Sequence, residues 1–385
     1  MTTPPAPHQD RIPFNRPFAT GGEFDHMRDA LDNLHLSGNG PYCARCSAWL
    51  QQQTSAARAL LTPSCTAALE MAMLLAGVGP GDEVVMPSFT FVSTAAAVAL
   101  RGATPVFVDI RPDTFNLDET LVADACGPQT RAVVPVHYAG VACEMRALAA
   151  TAAEHGAAVI EDAAQGVMSS YRGRPLGSLG ALGAISFHET KNLSCGEGGA
   201  LLVNDPELVD RAEILHEKGT DRARFFRGEV DRYTWVDLGS SFVLSDLSAA
   251  FLWAQLEHSQ EITRRRLGVW HAYHERLGEL EDRGRLRRPI VPPDCEPNGH
   301  AYCVLVPDAE RRDALIAGLA RAGVQAVFHY VPLHSSPAGS RLGRAHGALP
   351  VTDDVSARLM RLPLWVGMGE AEVDRVVAAI EAELE

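Results

Sequence analysis

Short apolar runs, three to five residues long and bounded by polar or glycine-rich segments, recur along this chain between longer stretches of helical spacing. The runs at 59–61, 83–86, 105–108, 132–136, 157–160 and 184–187 read as buried strands. Between them, 67–76, 92–100 and 117–125 read as helices. Ahead of the first strand, 23–34 places Phe24, Met27, Leu31 and Leu34 at helical intervals. Gly38-Asn39-Gly40-Pro41 interrupts that pattern, which resumes over 42–52. Helical spacing returns over 246–280, followed by a change of composition at 281–300, where an arginine-rich stretch and Pro292-Pro293 read as an irregular crossing. Beyond it, 301–306, 309–322 and 324–328 predict strand, helix, strand, and helices over 353–360 and 370–384 close the pattern.

Strands alternating with helices in this rhythm predict an α/β fold with a mainly parallel sheet covered on both faces. The expected division is a large domain over 13–255 and linking helices with a smaller α/β domain over 256–385. Residues 1–12, polar and proline-rich, are expected to be a disordered lead. In such sheets ligands gather beyond the carboxyl ends of the strands. Phe91, His137, Asp162, Gln165 and Lys191 all fall at or just past such ends.

The basic residues narrow the chemistry. Of 34 lysines and arginines only two are lysine, Lys191 and Lys218. A chain that uses arginine almost everywhere, yet keeps a lysine between His188-Glu189-Thr190 and the glycine-rich turn Gly196–Gly199, points to an amine that must lose its proton. Lysine does this and forms an imine with an aldehyde; arginine does neither. Pyridoxal phosphate chemistry needs such a lysine together with a carboxylate facing the ring nitrogen. The run at 157–160 delivers two acids, Glu161 and Asp162, of which Asp162 is the candidate. A strand, the small residues Ser64-Cys65-Thr66 and a helix start also make a ready anion site, where free N–H groups and the helix dipole meet.

Long segments resemble the DegT/DnrJ/EryC1/StrS sugar aminotransferases: SCTAALEMA (64–72), GDEVVMPSFTFVSTA (81–95), GATPVFVDI (102–110), VPVHYAG (134–140), VIEDAAQ (159–165) and SFHETKNLSCGEGG (186–199). The resemblance runs from about residue 12 to the C-terminus. It implies the fold-type I architecture of pyridoxal-phosphate-dependent transferases, with pyridoxal 5'-phosphate (PLP) and its pyridoxamine form (PMP) as cofactor. It implies Lys191 and Asp162 as catalytic residues and Thr66, Ala67, Phe91, Gln165 and Ser186 as further cofactor contacts. Phe91 would stack on the ring and Gln165 would lie near its phenolic oxygen. A homodimer with shared active sites is also implied. Where many relatives carry an asparagine that reaches the neighbouring subunit's cofactor phosphate, this chain has Ser241, a shorter donor with one N–H or O–H fewer to give.

The segments at 225–235, 239–242, 328–334 and 360–365 resemble the branch that makes dTDP-4-amino-4,6-dideoxy sugars. The expected reaction is therefore transfer of an amino group, from glutamate, to C4 of a dTDP-4-keto-6-deoxyhexose. A 3-aminotransferase and a sugar dehydratase of the same family are the rivals, although the resemblance puts histidine, not lysine, at position 191 of the dehydratases. A non-catalytic binding protein is a third. Arg222, Arg224 and Arg227, set among aromatics in an acidic chain, are expected to meet a diphosphate. Tyr330 and His334 are expected sugar contacts.

The bulk numbers exclude other classes. A net charge of −14 argues against a nucleic-acid surface. No run of eighteen apolar residues is present, so no membrane span is expected. Eight irregularly spaced cysteines, without a basic-then-apolar leader, are expected to be reduced cytoplasmic thiols. Cys43-Ala-Arg-Cys46 lacks a second pair, and no metal site is expected.

Overall fold

The computed structural model describes residues 11–384. Eight strands form one sheet in the order Arg58–Thr62, Gly199–Val203, Leu182–Ser186, Ala158–Asp162, Thr130–Val133, Glu83–Pro87, Thr104–Val108 and Arg344–Ala345. Only Gly199–Val203 runs against the others. The strands are apolar at consecutive positions because both faces of the sheet are covered. Val85 points into one core with Tyr42, Leu50, Leu148 and Leu252. Its neighbours Val84 and Met86 point into the other, with Leu69, Met73, Val98 and Leu215. Helices such as Pro41–Thr54, Met145–Glu154 and Asp246–Glu257 supply the first layer, and Cys65–Leu75, Val92–Ala99 and Val209–His216 the second.

A smaller antiparallel sheet places Leu359–Leu362 between Tyr302–Leu305 and Val327–Phe328. Alternation gives its strands two apolar faces of different use. Tyr302, Val304, Met360 and Leu362 pack with residues of helices Ser259–Arg276, Ala309–Arg321 and Glu370–Leu384. Cys303, Leu305 and Leu359 turn the other way, onto Phe89, Ile110, Phe115 and Tyr138. The two sheets thus meet along an aromatic seam, with the Phe89 and Tyr330 rings 5.4 Å apart. The cleft opens beside that seam.

Several local expectations are corrected. The helix expected over 353–360 spans Pro350–Arg358 and gives way to strand Leu359–Leu362, whose backbone finds partners on both sides at Cys303 and Val327. The strand expected over 324–328 is confined to Val327–Phe328, because Val324 pairs with Ile12 instead. Ile12 is buried and bonded through Gly323 and Gln325, so the end of the expected lead is part of the small sheet's surroundings. The rest of that lead, 1–10, lies outside the described residues. Strand Gly199–Val203 and helices Met145–Glu154 and Val209–His216 were not expected. Strand Arg344–Ala345 lies within the C-terminal stretch, yet it pairs with Thr104–Val108 at the edge of the large sheet. Among the described residues no helix is long and apolar enough to cross a membrane.

Candidate active site

A cavity of about 510 Å³ lies between the carboxyl ends of the large sheet's strands and the small sheet. Thr66, Phe91, Asp162, Gln165, Ser186, Lys191 and Tyr330 all line it. These come from segments spread over more than 260 positions, and the parallel topology brings them together.

Lys191 stands in the loop between Leu182–Ser186 and Gly199–Val203. The loop is pinned, since Glu189 N–H donates to Gly196 and Lys191 N–H to His188. Next door, Asn192 donates to the Asn298 carbonyl at 2.9 Å and pairs with His300 Nδ1 at 3.0 Å. Burial pushes the Lys191 amine below its ordinary pKa, and Arg361 adds to this; Cys65 and Asp162 oppose it. Among the described residues the Lys191 amine has no hydrogen-bond partner, whereas Lys218 pairs with Glu217 at 3.5 Å. Of the two lysines, Lys191 is the one kept free beside an acid.

That acid ends strand Ala158–Asp162. Asp162 accepts from Thr94 Oγ1 at 2.7 Å and from Ala164 N–H at 3.1 Å. Its neighbour Glu161 faces away from the cavity and accepts from His137 Nε2 and from the N–H groups of Gly177, Leu179 and Gly180. His137 also accepts from Cys143 N–H through Nδ1, so its proton is on Nε2. Gln165 is fixed at both ends, accepting from Ala139 N–H at 2.6 Å and donating to the Tyr330 hydroxyl at 3.1 Å. Burial raises the proton affinity of Tyr330 and depresses that of His329.

At the start of helix Cys65–Leu75, Thr66 Oγ1 lies 2.7 Å from Ser93 Oγ. A Cβ at Gly199 would stand 2.4 Å from the Ser64 carbonyl carbon and 2.5 Å from Cys65 N. Glycine there lets the strand approach the helix start closely, with Ser186 across from it in register. Ala67 does not line the cavity; its N–H is taken by Ser64 Oγ at 3.1 Å, the helix cap. Phe91 is exposed toward the cavity at the start of helix Val92–Ala99.

The structure does not bring every candidate here. Ser241 is exposed, bridging Glu217, and does not line the cavity. Arg222 lies over the Phe226 ring, Arg224 pairs with Asp210, and Arg227 with Glu213 and Glu229. None of the three lines the cavity. His334 bonds Ser88 Oγ at 2.8 Å and faces Asp353, an attachment of the small sheet's loop to the large sheet. Conversely, Phe14, Thr94 and Arg361 reach the site without having been singled out, while His329 reaches it from the segment 328–334 already marked by the resemblance.

An isolated amine, a carboxylate and small hydroxyl residues at a helix start around one cavity are the groups required by a lysine-dependent enzyme that holds a phosphate-bearing aldehyde. The chain belongs to the DegT/DnrJ/EryC1/StrS aminotransferase family, whose sequence model matches residues 19–381. It is 32% identical over 377 residues to the spore coat polysaccharide biosynthesis protein SpsC of Bacillus subtilis, covering 96% of each chain. The aminotransferase TlmJ of Streptoalloteichus hindustanus superposes with a TM-score of 0.89 at 34% identity, covering 97% of this chain and 98% of that one. Spr1654 of Streptococcus pneumoniae, described as a sugar aminotransferase, is 26% identical with a TM-score of 0.89 in its PLP form, covering 97% and 98%. A PMP form of that protein is similarly close. The cofactor is pyridoxal phosphate, and the protein is a PLP-dependent member of a sugar aminotransferase family with the fold-type I architecture. The donor set fits that cofactor: a carboxylate, a free amine, two hydroxyls at a helix start and a glycine where a Cβ would crowd the cradle.

Proposed function

We propose that the enzyme transfers an amino group from glutamate to C4 of a dTDP-4-keto-6-deoxyhexose, acting as a cytoplasmic homodimer. One observation carries the C4 reading. The segments 328–334 and 360–365, which resemble the 4-aminotransferase branch, supply His329, Tyr330, Leu362 and Leu364 to the cavity wall. The wall that holds the sugar decides which ring carbon meets the lysine, and these residues belong to that wall. The name of SpsC, a polysaccharide biosynthesis protein, is in keeping with a product destined for a glycan.

When bound, pyridoxal phosphate supplies an aldehyde for the amines and a ring that withdraws electrons from the reacting carbon. In this reading Lys191 holds the cofactor, and its Nζ moves the proton between the two carbons of the transfer once it is released. Depressed proton affinity suits that task, since a base must be unprotonated near neutral pH to act. Asp162, oriented by Thr94, favours a protonated ring nitrogen through its charge. Phe91 covers the ring, Gln165 steadies its hydroxyl side, and Thr66 and Ser186 hold the phosphate. Ala67 keeps its N–H for the helix cap and acts by ordering that turn. With a second copy present, the exposed segment around Arg222, Arg224 and Arg227, and Ser241, would meet the neighbouring cleft. His334 supports the Tyr330 loop from behind.

The deciding experiment incubates the enzyme with L-glutamate and, separately, dTDP-4-keto-6-deoxyglucose and its 3-keto isomer, with products solved by NMR. Amination at C4 is expected. An enzyme that ignores the 4-keto sugar and aminates the 3-keto isomer refutes the assignment and favours the 3-aminotransferase reading.

A further inference from the structure

Arg361 stands out because its guanidinium has work left to do. It lies on the central strand of the small sheet, opposite Cys303 and Val327. Met360 and Leu362 on either side bury their side chains among Tyr302 and Val304, so alternation sends Arg361 the other way, into the cavity. The Phe14 ring lies 4.7 Å from its central carbon. Its Nε is shut off from water and has no hydrogen-bond partner among the described residues. No carboxylate pairs with it there, in a chain whose arginines are ion-paired at position after position. The other arginine lining the cavity among the described residues is anchored to backbone: Arg266 donates through Nε and one Nη to the carbonyls of Gly299, His300 and Leu364.

We propose that Arg361 receives the α-carboxylate of the amino donor. The inference rests on the amino-acid-donor reading above and names the residue that would select for it. Three anions come to this cleft in that reading, and chemistry separates them. The cofactor phosphate belongs at the start of helix Cys65–Leu75, on the wall formed by the large sheet. The nucleotide's diphosphate is separated from the reacting carbon by most of a sugar ring, so it cannot sit beside the reactive amine. The donor's carboxylate is bonded to the reacting carbon itself and must lie close to Lys191. Arg361 is close enough to Lys191 to lower its affinity for protons. A guanidinium offers two parallel N–H groups that match a carboxylate, and the Phe14 face holds its plane. The keto-sugar has no such group, so Arg361 should matter in one half of the reaction and little in the other.

The test uses the PLP-loaded enzyme and follows each half-reaction separately by its absorbance change. Arg361→Gln should raise the L-glutamate concentration giving half-maximal rate by roughly 30- to 100-fold, the loss expected for a charge-assisted pair. Return of the amine to the keto-sugar should change by less than about threefold. Arg361→Lys should recover part of the loss, since it keeps the charge but not the fork. Cofactor absorbance and thermal midpoint, read alongside, should match the unsubstituted enzyme. Independently of any substitution, succinate should compete with L-glutamate and not with the keto-sugar. An unchanged glutamate requirement in both variants, equal weakening of both half-reactions, or succinate competing only with the sugar overturns the proposal. If the unsubstituted enzyme reacts with none of L-glutamate, L-glutamine and L-alanine, the donor reading itself falls, and this inference with it.

Discussion

Glu161 and Asp162 are consecutive in one strand, yet their carboxylates serve opposite faces of the sheet. Glu161 is fully buried and gathers four donors, from His137, Gly177, Leu179 and Gly180, which closes the turn after the strand. Asp162 turns to the cavity and takes only Thr94 and the Ala164 N–H. The two acids should therefore fail differently. Glu161→Ala leaves buried donors unpaired and should cost roughly 3–5 kcal/mol of stability in thermal or denaturant unfolding. Asp162→Asn should unfold within about 1 kcal/mol of the parent while turnover falls roughly 10²- to 10⁴-fold. A loss of turnover below about tenfold in Asp162→Asn would take that residue out of its role.

Lys191 gives a prediction with a definite sign. Its amine sits below the ordinary value of 10.5 because burial penalises the charged form, with Arg361 acting in the same direction. Loading of the cofactor-free protein with pyridoxal phosphate, followed by absorbance, should therefore have a pH midpoint below 10.5. Arg361→Gln should move that midpoint upward. By linkage, the unfolded chain holds this proton more tightly, so the cofactor-free protein loses stability as pH falls from 10.5 toward the folded value. Borohydride reduction of the loaded protein followed by peptide mass mapping should mark Lys191 and leave Lys218 unmarked, and Lys191→Ala should abolish transfer. Labelling at Lys218, or a midpoint at or above 10.5, would defeat this account.

Much of this site is legible in the residues because the large sheet is built from local signals. Short apolar runs ending in small or polar residues announce parallel strands, and the rarity of lysine isolates Lys191. What stays hidden depends on contacts distant in sequence. Arg222, Arg224 and Arg227 look free for a phosphate in the sequence, yet each finds a local acid or aromatic partner in the fold. His334 resembles a sugar contact until Ser88, 246 positions away, claims its ring. Arg361 is hidden for the converse reason, because only the pairing of Leu359–Leu362 with two other strands shows which way it points. Strand Gly199–Val203 escapes notice since its pairing on both sides is what distinguishes it from a buried helix segment of the same composition.

Gly199 tests the anion cradle. Its φ is not the reason for glycine; the near contacts to Ser64 and Cys65 backbone atoms are. Neither neighbour is a flexible side-chain tip, so Gly199→Ala must push the helix start away from the strand. Cofactor affinity, measured by dialysis or by titration of the absorbance, should fall by about tenfold or more, equivalent to about 1.4 kcal/mol. Gly196→Ala, whose added carbon meets nothing within 4 Å but whose φ is +85°, should strain the lysine loop with a smaller effect on affinity. Equal affinity in Gly199→Ala and the parent would remove the cradle from the cofactor site.

The exposed aromatic segment supplies the last prediction. Phe226 is 70% and Trp235 76% exposed, with Tyr233 and Leu238 also open to solvent. Arg222 lies over the rings of Phe226 and Tyr233, so the segment is ordered internally and presents apolar surface outward. Contiguous exposure of this kind marks a surface that another protein covers, and the proposed homodimer gives it an occupant. Phe226→Ser with Trp235→Ser should shift the protein toward monomer in sedimentation at micromolar concentration. If the segment also meets the neighbouring cleft, the keto-sugar requirement should rise by about tenfold or more, while the glutamate half-reaction of the remaining dimer changes little. A double variant that stays fully dimeric with an unaltered sugar requirement would clear the segment of both roles.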